Sequence, residues 1–257
     1  VFAGDVVERP KGEPSRVELT VGGHVKEPII VGRVTLGRLQ FGLKALGKEM
    51  ALKSGIIDFQ QGRLRISDVR GTLSGGPFEV NGDVYLKGVA LNGVNLHIVG
   101  ESIPHRSGGS YEVEVSPDVT LTGTGPPKSG YTLAGVIDVV EGRYIQKFNI
   151  NPVQRILSPS RVSEGYSSPY ERGDLTENLK LNLTVSSTGT MRVKNNIADI
   201  GLEGDLSVTG KLSDIKIGGS VDIKEGTFRI PFLRGRYSGA SGTIDFDRGK
   251  SQGIDEP

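Results

Sequence analysis

The 257 residues carry 31 basic and 30 acidic side chains, 38 Gly and no Cys. A net charge of +1 gives no field to draw the chain onto nucleic acid, and without Cys there is no disulfide frame and no thiolate metal site. No apolar run approaches the ~18 residues of a membrane-spanning helix, no signal-peptide pattern is legible, and glycine at about twice its usual ~7% without a Gly-X-Y period reads as many turns.

Residues 1–16 are polar, with Pro10 and Pro14, and read as a loose leading segment. From 17 to 43 apolar residues recur at every second position in short runs: Leu19 and Val21, Ile29 and Val31, Val34 and Leu36, then Leu39, Phe41 and Leu43. A period of two predicts strands with one greasy and one wet face. Leu43, Leu46 and Met50 also fit one side of a short helix, which Gly42 and Gly47 would each weaken by about 1 kcal/mol.

The strands resume with Ile57 and Phe59, Leu64 and Ile66, Val84 and Leu86, and Leu96 and Ile98. Expected turns are Gln61-Gly62, Gly75-Gly76-Pro77, Asn81-Gly82 and Asn92-Gly93, the two Asn-Gly pairs being the strongest hairpin signals in the chain. Residues 101–110 read as a loop and 111–115 as a strand. A second unit follows from 119 to 150, with Ile137 and Val139 in phase. Asn151-Pro152 has the form of an N-cap followed by proline, which predicts one short helix through Val153, Ile156 and Leu157, and then a loop over 158–173.

The last part of the chain alternates at Leu181, Leu183 and Val185, then Met191 and Val193, with a turn at Asn195-Asn196. The pattern is most regular over 202–246: Leu206 and Val208, Ile215 and Ile217, Val221 and Ile223, Phe228, Ile230 and Phe232, Ile244 and Phe246. Thr209-Gly210, Gly218-Gly219, Glu225-Gly226 and the glycines from Gly239 to Gly242 are the expected turns between these runs.

The chain repeats itself. Gly219-Ser-Val-Asp-Ile-Lys-Glu-Gly226-Thr-Phe228 matches Gly135-Val-Ile-Asp-Val-Val-Glu-Gly142-Arg-Tyr144 in glycine, acid and aromatic, and looser copies begin at Gly55 and Gly242. Such likeness predicts an array of similar β units that need their neighbours, at about 17–118, 119–178 and 179–257. The expected fold is all-β: a long curved antiparallel sheet of repeated meanders forming an open hydrophobic trough, with at most one or two short helices. Its expected lining is Ile57, Phe59, Ile137, Val139, Leu181, Leu183, Val185, Leu206, Val208, Ile215, Ile217, Val221, Ile223, Phe228, Ile230, Phe232, Ile244 and Phe246.

Catalytic and metal patterns are missing from the sequence. His24, His97 and His105 have no partner at ligand spacing, and His97 reads as a wet strand position. There is no Gly-x-Ser-x-Gly elbow and no His-Glu-x-x-His. Residues 123–129 lack the N–H donors of a phosphate loop at Pro126 and Pro127. Asp245, Asp247 and Glu256 have calcium-loop spacing, but Lys250 occupies the glycine place. Asp58, Asp138, Asp222 and Asp245 fall between inward apolar residues and so face water, where charge protects a sheet. The chain reads as a binding protein, not an enzyme, with no cofactor.

Over 179–247 the chain resembles the C-terminal region of the TamB family, the translocation and assembly module subunit, within the wider AsmA-like, bridge-like lipid transfer group. The residues that carry the resemblance are the apolar–polar pairs before Arg192-Val-Lys-Asn-Asn196, the step Leu202-Glu-Gly-Asp-Leu206, and the closing Gly242-Thr-Ile-Asp-Phe246. Across 231–241 the chain departs from the family's apolar alternation with Arg234, Gly235, Arg236 and Gly239. The resemblance implies a periplasmic β-trough whose parent protein is anchored in the inner membrane of a Gram-negative bacterium by a helix outside this piece. It also implies an outer-membrane barrel partner, TamA or a relative, and roles in phospholipid delivery and barrel assembly.

A curved sheet with one apolar face can close on itself as a barrel, face another sheet or stay open around a ligand, and with the resemblance the expected function is an apolar wall that carries phospholipid acyl chains. One alternative expectation is a scaffold in which an open sheet edge pairs with an incoming barrel strand. A remoter one is a β-solenoid adhesin or polysaccharide enzyme, against which the hairpin turns argue.

Overall fold

Alternating apolar and polar residues fold the described part of the chain into sixteen strands in one sheet. The structure, a computed structural model, describes residues 11–24, 27–43, 48–147, 178–212, 214–229 and 235–246. The strands are β1 (Lys11–Gly12), β2 (Arg16–His24), β3 (Glu27–Leu36), β4 (Leu39–Leu43), β5 (Lys48–Gln60), β6 (Arg63–Leu73), β7 (Gly76–Lys87) and β8 (Ala90–Gly100). They continue with β9 (Ile103–Ser107), β10 (Tyr111–Thr124), β11 (Tyr131–Tyr144), β12 (Leu179–Lys194), β13 (Ala198–Lys211), β14 (Asp214–Phe228), β15 (Tyr237–Ser238) and β16 (Gly242–Phe246). Among the described residues the helical content is one 3-10 turn at Pro127–Ser129. The predicted helix at 151–157 and loop at 158–173 lie outside the described residues, and Leu43 and Met50 belong to strands β4 and β5.

The long strands form a meander, β5-β6-β7-β8-β10-β11, then β12-β13-β14. Among the described residues all ladders are antiparallel except one: β11 pairs β12 in parallel, Leu133 opposite Leu181 and Ile137 opposite Val185. A parallel pair needs a crossover of a dozen or more residues, and the stretch between Tyr144 and Leu179 is long enough. Three long strands each carry two short ones along one edge. β3 and β4 share β5, β8 and β9 share β10, and β16 and β15 share β14.

The junctions between these short strands lie level with shifts in the long ladders. Register slips between Leu52 and Ile56 in β5, Ile66 and Val69 in β6, Glu114 and Val115 in β10, Val139 and Glu141 in β11, Ser186 and Met191 in β12, and Gly201 and Leu202 in β13. A bulge bends its strand and adds twist. A line of bulges and strand breaks therefore runs the length of the sheet as a crease, and the sheet curves about it into a trough.

Several glycines expected in turns lie within strands instead. Asn81-Gly82 is in the middle of β7, with Gly82 paired to both Ile66 and Leu96, and Asn92-Gly93 is inside β8. Gly218-Gly219 and Glu225-Gly226 are within β14, and Thr209-Gly210 within β13. The reason is visible at Gly82: its φ is +139°, and a Cβ there would stand 2.1 Å from the Asn95 carbonyl oxygen on the next strand. The glycine serves close backbone approach and strand coiling, a use that local turn chemistry cannot distinguish from a hairpin.

True turns occur at Gln61-Gly62, Ser74-Gly75, Gly88-Val89 and Asn195-Asn196. Asn195 closes the last of these, its side-chain oxygen accepting from the N–H groups of Ile197 and Ala198. The stretch 101–110, expected as a loop, contains strand β9.

Candidate functional site

Residues directly opposite each other in neighbouring strands project from the same face, so the register can be followed across the sheet. One row reads Val17, Val34, Ile57, Ile66, Gly82, Leu96, Leu121, Leu133, Leu181, Gly210 and Ile215. The next reads Val69, Val80, Ile98, Val119, Gly135, Leu183, Val208 and Ile217. A third passes through Pro117, Ile137, Val185, Leu206, Gly219 and Phe246. Each row contains only apolar residues and glycine. With strands about 4.8 Å apart, the rows span a strip roughly 50 Å long.

The described members of the sequence-predicted lining all project from this face. Phe59 is opposite Leu64, Val139 opposite Val115, Val221 opposite Ile244, and Ile223 opposite Leu202. Phe228 is opposite Ala198 and stacks on Tyr237 with ring centroids 5.3 Å apart. Ile230 and Phe232 lie outside the described residues. The sequence reading missed Val119, Leu121 and Leu133, whose in-phase alternation could have placed them. It also missed Tyr131, only 2% exposed, whose ring covers the space left by Gly123 while its hydroxyl donates to the Gly125 carbonyl. Ile29 and Val31 fall on the opposite face, because Val34 is in phase with Ile30 and Gly32.

Burial is deepest in the middle of the strip and falls off at its ends. Val119 is 6% and Leu183 8% exposed, and Leu181 joins them in a cluster flanked by Ile98, Leu133, Ile137 and Val208. At the ends the same face opens: Val17, Leu19 and Val21 on β2 are exposed, and Ile215 and Ile217 on β14 are 46% and 44% exposed. The outcome is a lined channel-like surface with a packed centre and open apolar mouths.

The other face is polar, and its charges are cross-strand pairs. Arg33 donates to Asp58 at 2.6 Å, Arg70 to Glu79 at 2.8 Å, and Arg192 to Asp199 at 2.5 Å. Lys224 lies 3.3 Å from both Glu203 and Asp222, and Ser186 donates to Asp138. Arg63 grips Asp83 with two bonds, at 2.7 and 2.6 Å, which hold the carboxyl below the usual carboxylate range against the opposing effect of burial. Exposed pairs of this kind contribute little to stability. Their role is to keep that face wet, which leaves the apolar face as the surface able to take a ligand. Of the four repeated acids, Asp58, Asp138 and Asp222 pair or bond on the wet face and Asp245 lies opposite Ser220 there.

The apolar face can bind alkyl chains by burial at ~25 cal/mol per Å². Among the described residues no group of His, Cys, Asp and Glu is arranged to hold a metal ion, and no helix is long and apolar enough to cross a membrane. No curated protein and no solved structure matches the chain. Residues 67–251, most of its length and nearly all of the strip from β6 to β16, match the family described as the TamB C-terminal domain. The chain therefore belongs to the TamB C-terminal domain family, a TamB-like protein of Gram-negative outer-membrane assembly.

Proposed function

We propose that this chain is the periplasmic part of a TamB-like protein whose apolar trough carries phospholipid acyl chains between the inner and outer membranes. The observation that carries this reading is the set of overlapping apolar rows that together cross one face from β2 to β16, set against a charge-paired opposite face. Removing an acyl chain from a bilayer into water costs about 0.8 kcal/mol per CH₂, so a two-tailed lipid meets a barrier on the order of 20 kcal/mol. A wall of Val, Ile and Leu removes most of that cost while the headgroup stays in water. No side chain needs to do chemistry; the parent protein would be held in the inner membrane outside this piece, and a TamA-like barrel would receive the cargo.

The test is purification of the chain from bacterial membranes in detergent-free buffer, followed by mass spectrometry of bound lipid. Phospholipid at near-stoichiometric amounts, lost in Ile215→Asp/Ile217→Asp, is the expected result. Both residues are already solvent-exposed, so the double variant keeps its fold. A stable, lipid-free wild-type chain that also fails to take up added phospholipid would refute the reading.

A second reading, strand pairing with an incoming barrel protein, is favoured by β16. Its sequence Gly-Thr-Ile-Asp-Phe contains neither Lys nor Pro, the residues that block edge pairing, and among the described residues it pairs with β14 alone.

A further inference from the structure

Among the described residues the apolar face is interrupted by charge at one place on its rim. Lys48 shares a face with Met50 and Leu52 on β5, and His105 lies opposite Val113, so both project from the side that holds the apolar rows. Lys48 reaches past the β6–β7 turn and donates to the Pro104 carbonyl at 3.0 Å. His105 Nε2 is 3.1 Å from the Tyr111 hydroxyl, and the two rings are 5.7 Å apart. Neither Lys48 nor His105 has an ion pair with any described carboxylate. Glu49, beside Lys48 in β5, is turned to the other face, as is Glu112, which lies 3.6 Å from Arg106.

Two groups able to carry positive charge, side by side at the edge of an apolar surface and without a counter-charge, are costly to leave alone. Burial and the neighbouring ammonium push the His105 imidazole down in pKa, as expected of a site that lacks its anion. Ser107 and Tyr111, both hydroxyl donors, project from the same face beside His105, as does Tyr144, opposite Tyr111. Tyrosines at the margin of an apolar surface suit the level where lipid tails give way to headgroups.

We propose that Lys48, His105 and the Tyr111 hydroxyl form a binding site for the phosphate of a lipid headgroup whose acyl chains lie in the trough. The proposal rests on the acyl-chain reading above and adds to it a fixed point where the cargo's charge is held. A phosphate oxygen would accept from the ammonium, the imidazole N–H and the phenol, charge-assisted bonds that are roughly twice as strong as neutral ones.

Calorimetric titration of the full 257-residue chain with dioctanoyl phosphatidylglycerol, with dioctanoylglycerol and with inorganic phosphate tests it. The phosphatidylglycerol is expected to bind about tenfold more tightly than the uncharged lipid. Lys48→Met and His105→Gln should each remove that advantage and leave dioctanoylglycerol affinity unchanged, while Lys48→Arg retains it. Methionine is compatible with an apolar face, so Lys48→Met remains folded, which a thermal melt checks. In the wild type the His105 imidazole NMR titration should move upward on phosphatidylglycerol binding and stay in place with dioctanoylglycerol. Wild-type affinity for phosphatidylglycerol in both variants would overturn the site while leaving the trough reading intact. If neither lipid binds the wild type, the trough reading fails and the site with it. Inorganic phosphate binding as tightly as phosphatidylglycerol, with the same sensitivity to Lys48→Met, would overturn the lipid assignment in favour of a simple anion site.

Discussion

Replacing Gly82 by alanine separates a strand-coiling glycine from a turn glycine. The new methyl would start 2.1 Å from the Asn95 carbonyl oxygen and 2.9 Å from the Leu96 Cα, both backbone atoms, whereas real Cβ contacts do not fall under 3.0 Å. The β7–β8 ladder would have to open by roughly 0.9 Å, the gap between those limits, which loosens adjacent backbone bonds worth about 1 kcal/mol each. A positive φ for a residue with a Cβ adds about 1–2 kcal/mol. The sum is a loss of roughly 3–5 kcal/mol.

Gly75→Ala is the matched control, because Gly75 also has positive φ, +99°, but open space around its missing Cβ. It should cost only the conformational part, about 1–2 kcal/mol. Urea unfolding followed by far-ultraviolet circular dichroism compares the two. Arrays of repeated units need not unfold in one step, so hydrogen exchange at the Ile66 and Leu96 amides should locate the damage in the strands flanking Gly82. Equal losses for the two variants, with unchanged exchange at these amides, would refute the coiled-strand geometry and restore a turn at Asn81-Gly82.

Leu183→Ala removes a side chain that is buried beside Val119 and Leu181 and should destabilise by about 2–4 kcal/mol; Thr184→Ala, one residue along on the wet face, should stay within ~0.5 kcal/mol, both measured by urea midpoint. The Arg63–Asp83 pair predicts a pH dependence with a definite sign. Because Asp83 titrates below its ordinary value when folded, its stabilisation is fully present above the unfolded carboxylate pKa and is lost as pH falls through the folded one. Asp83→Asn should therefore flatten the acid limb of a plot of unfolding midpoint against pH and lower the plateau at neutral pH; an unchanged acid limb would contradict the pairing.

How much of this was legible in the sequence depends on the scale of the signal. The period of two is set by the strand itself, so the faces of Ile57, Leu183, Val208 and Ile217 could be read directly. The parallel junction between β11 and β12 could not, because nothing local in Leu133 or Leu181 records which neighbour lies alongside. Glycines were the main source of error. Gly82 and Gly226 have the composition of turns, and only the carbonyl of the adjacent strand reveals why they are glycine.

Phase was lost where a bulge intervenes. In β11 the apolar face passes from Val139 to Gly142 and Tyr144, since one extra residue resets the alternation, whereas in β12 two extra residues between Ser186 and Met191 leave Val185, Met191 and Val193 in the same phase. Lys48 and His105 were invisible as a pair because they are brought together only when β5 reaches around the β6–β7 turn to β9.

Site-specific photocrosslinking in bacterial cells tests the central claim most directly. A photoreactive phenylalanine analogue placed at Ile217 projects from the apolar face, and one at Lys216 from the wet face, and both positions are exposed. The account predicts phospholipid adducts at Ile217 and none at Lys216, since acyl chains occupy one face only. Equal labelling at the two positions, or none at either, would contradict it.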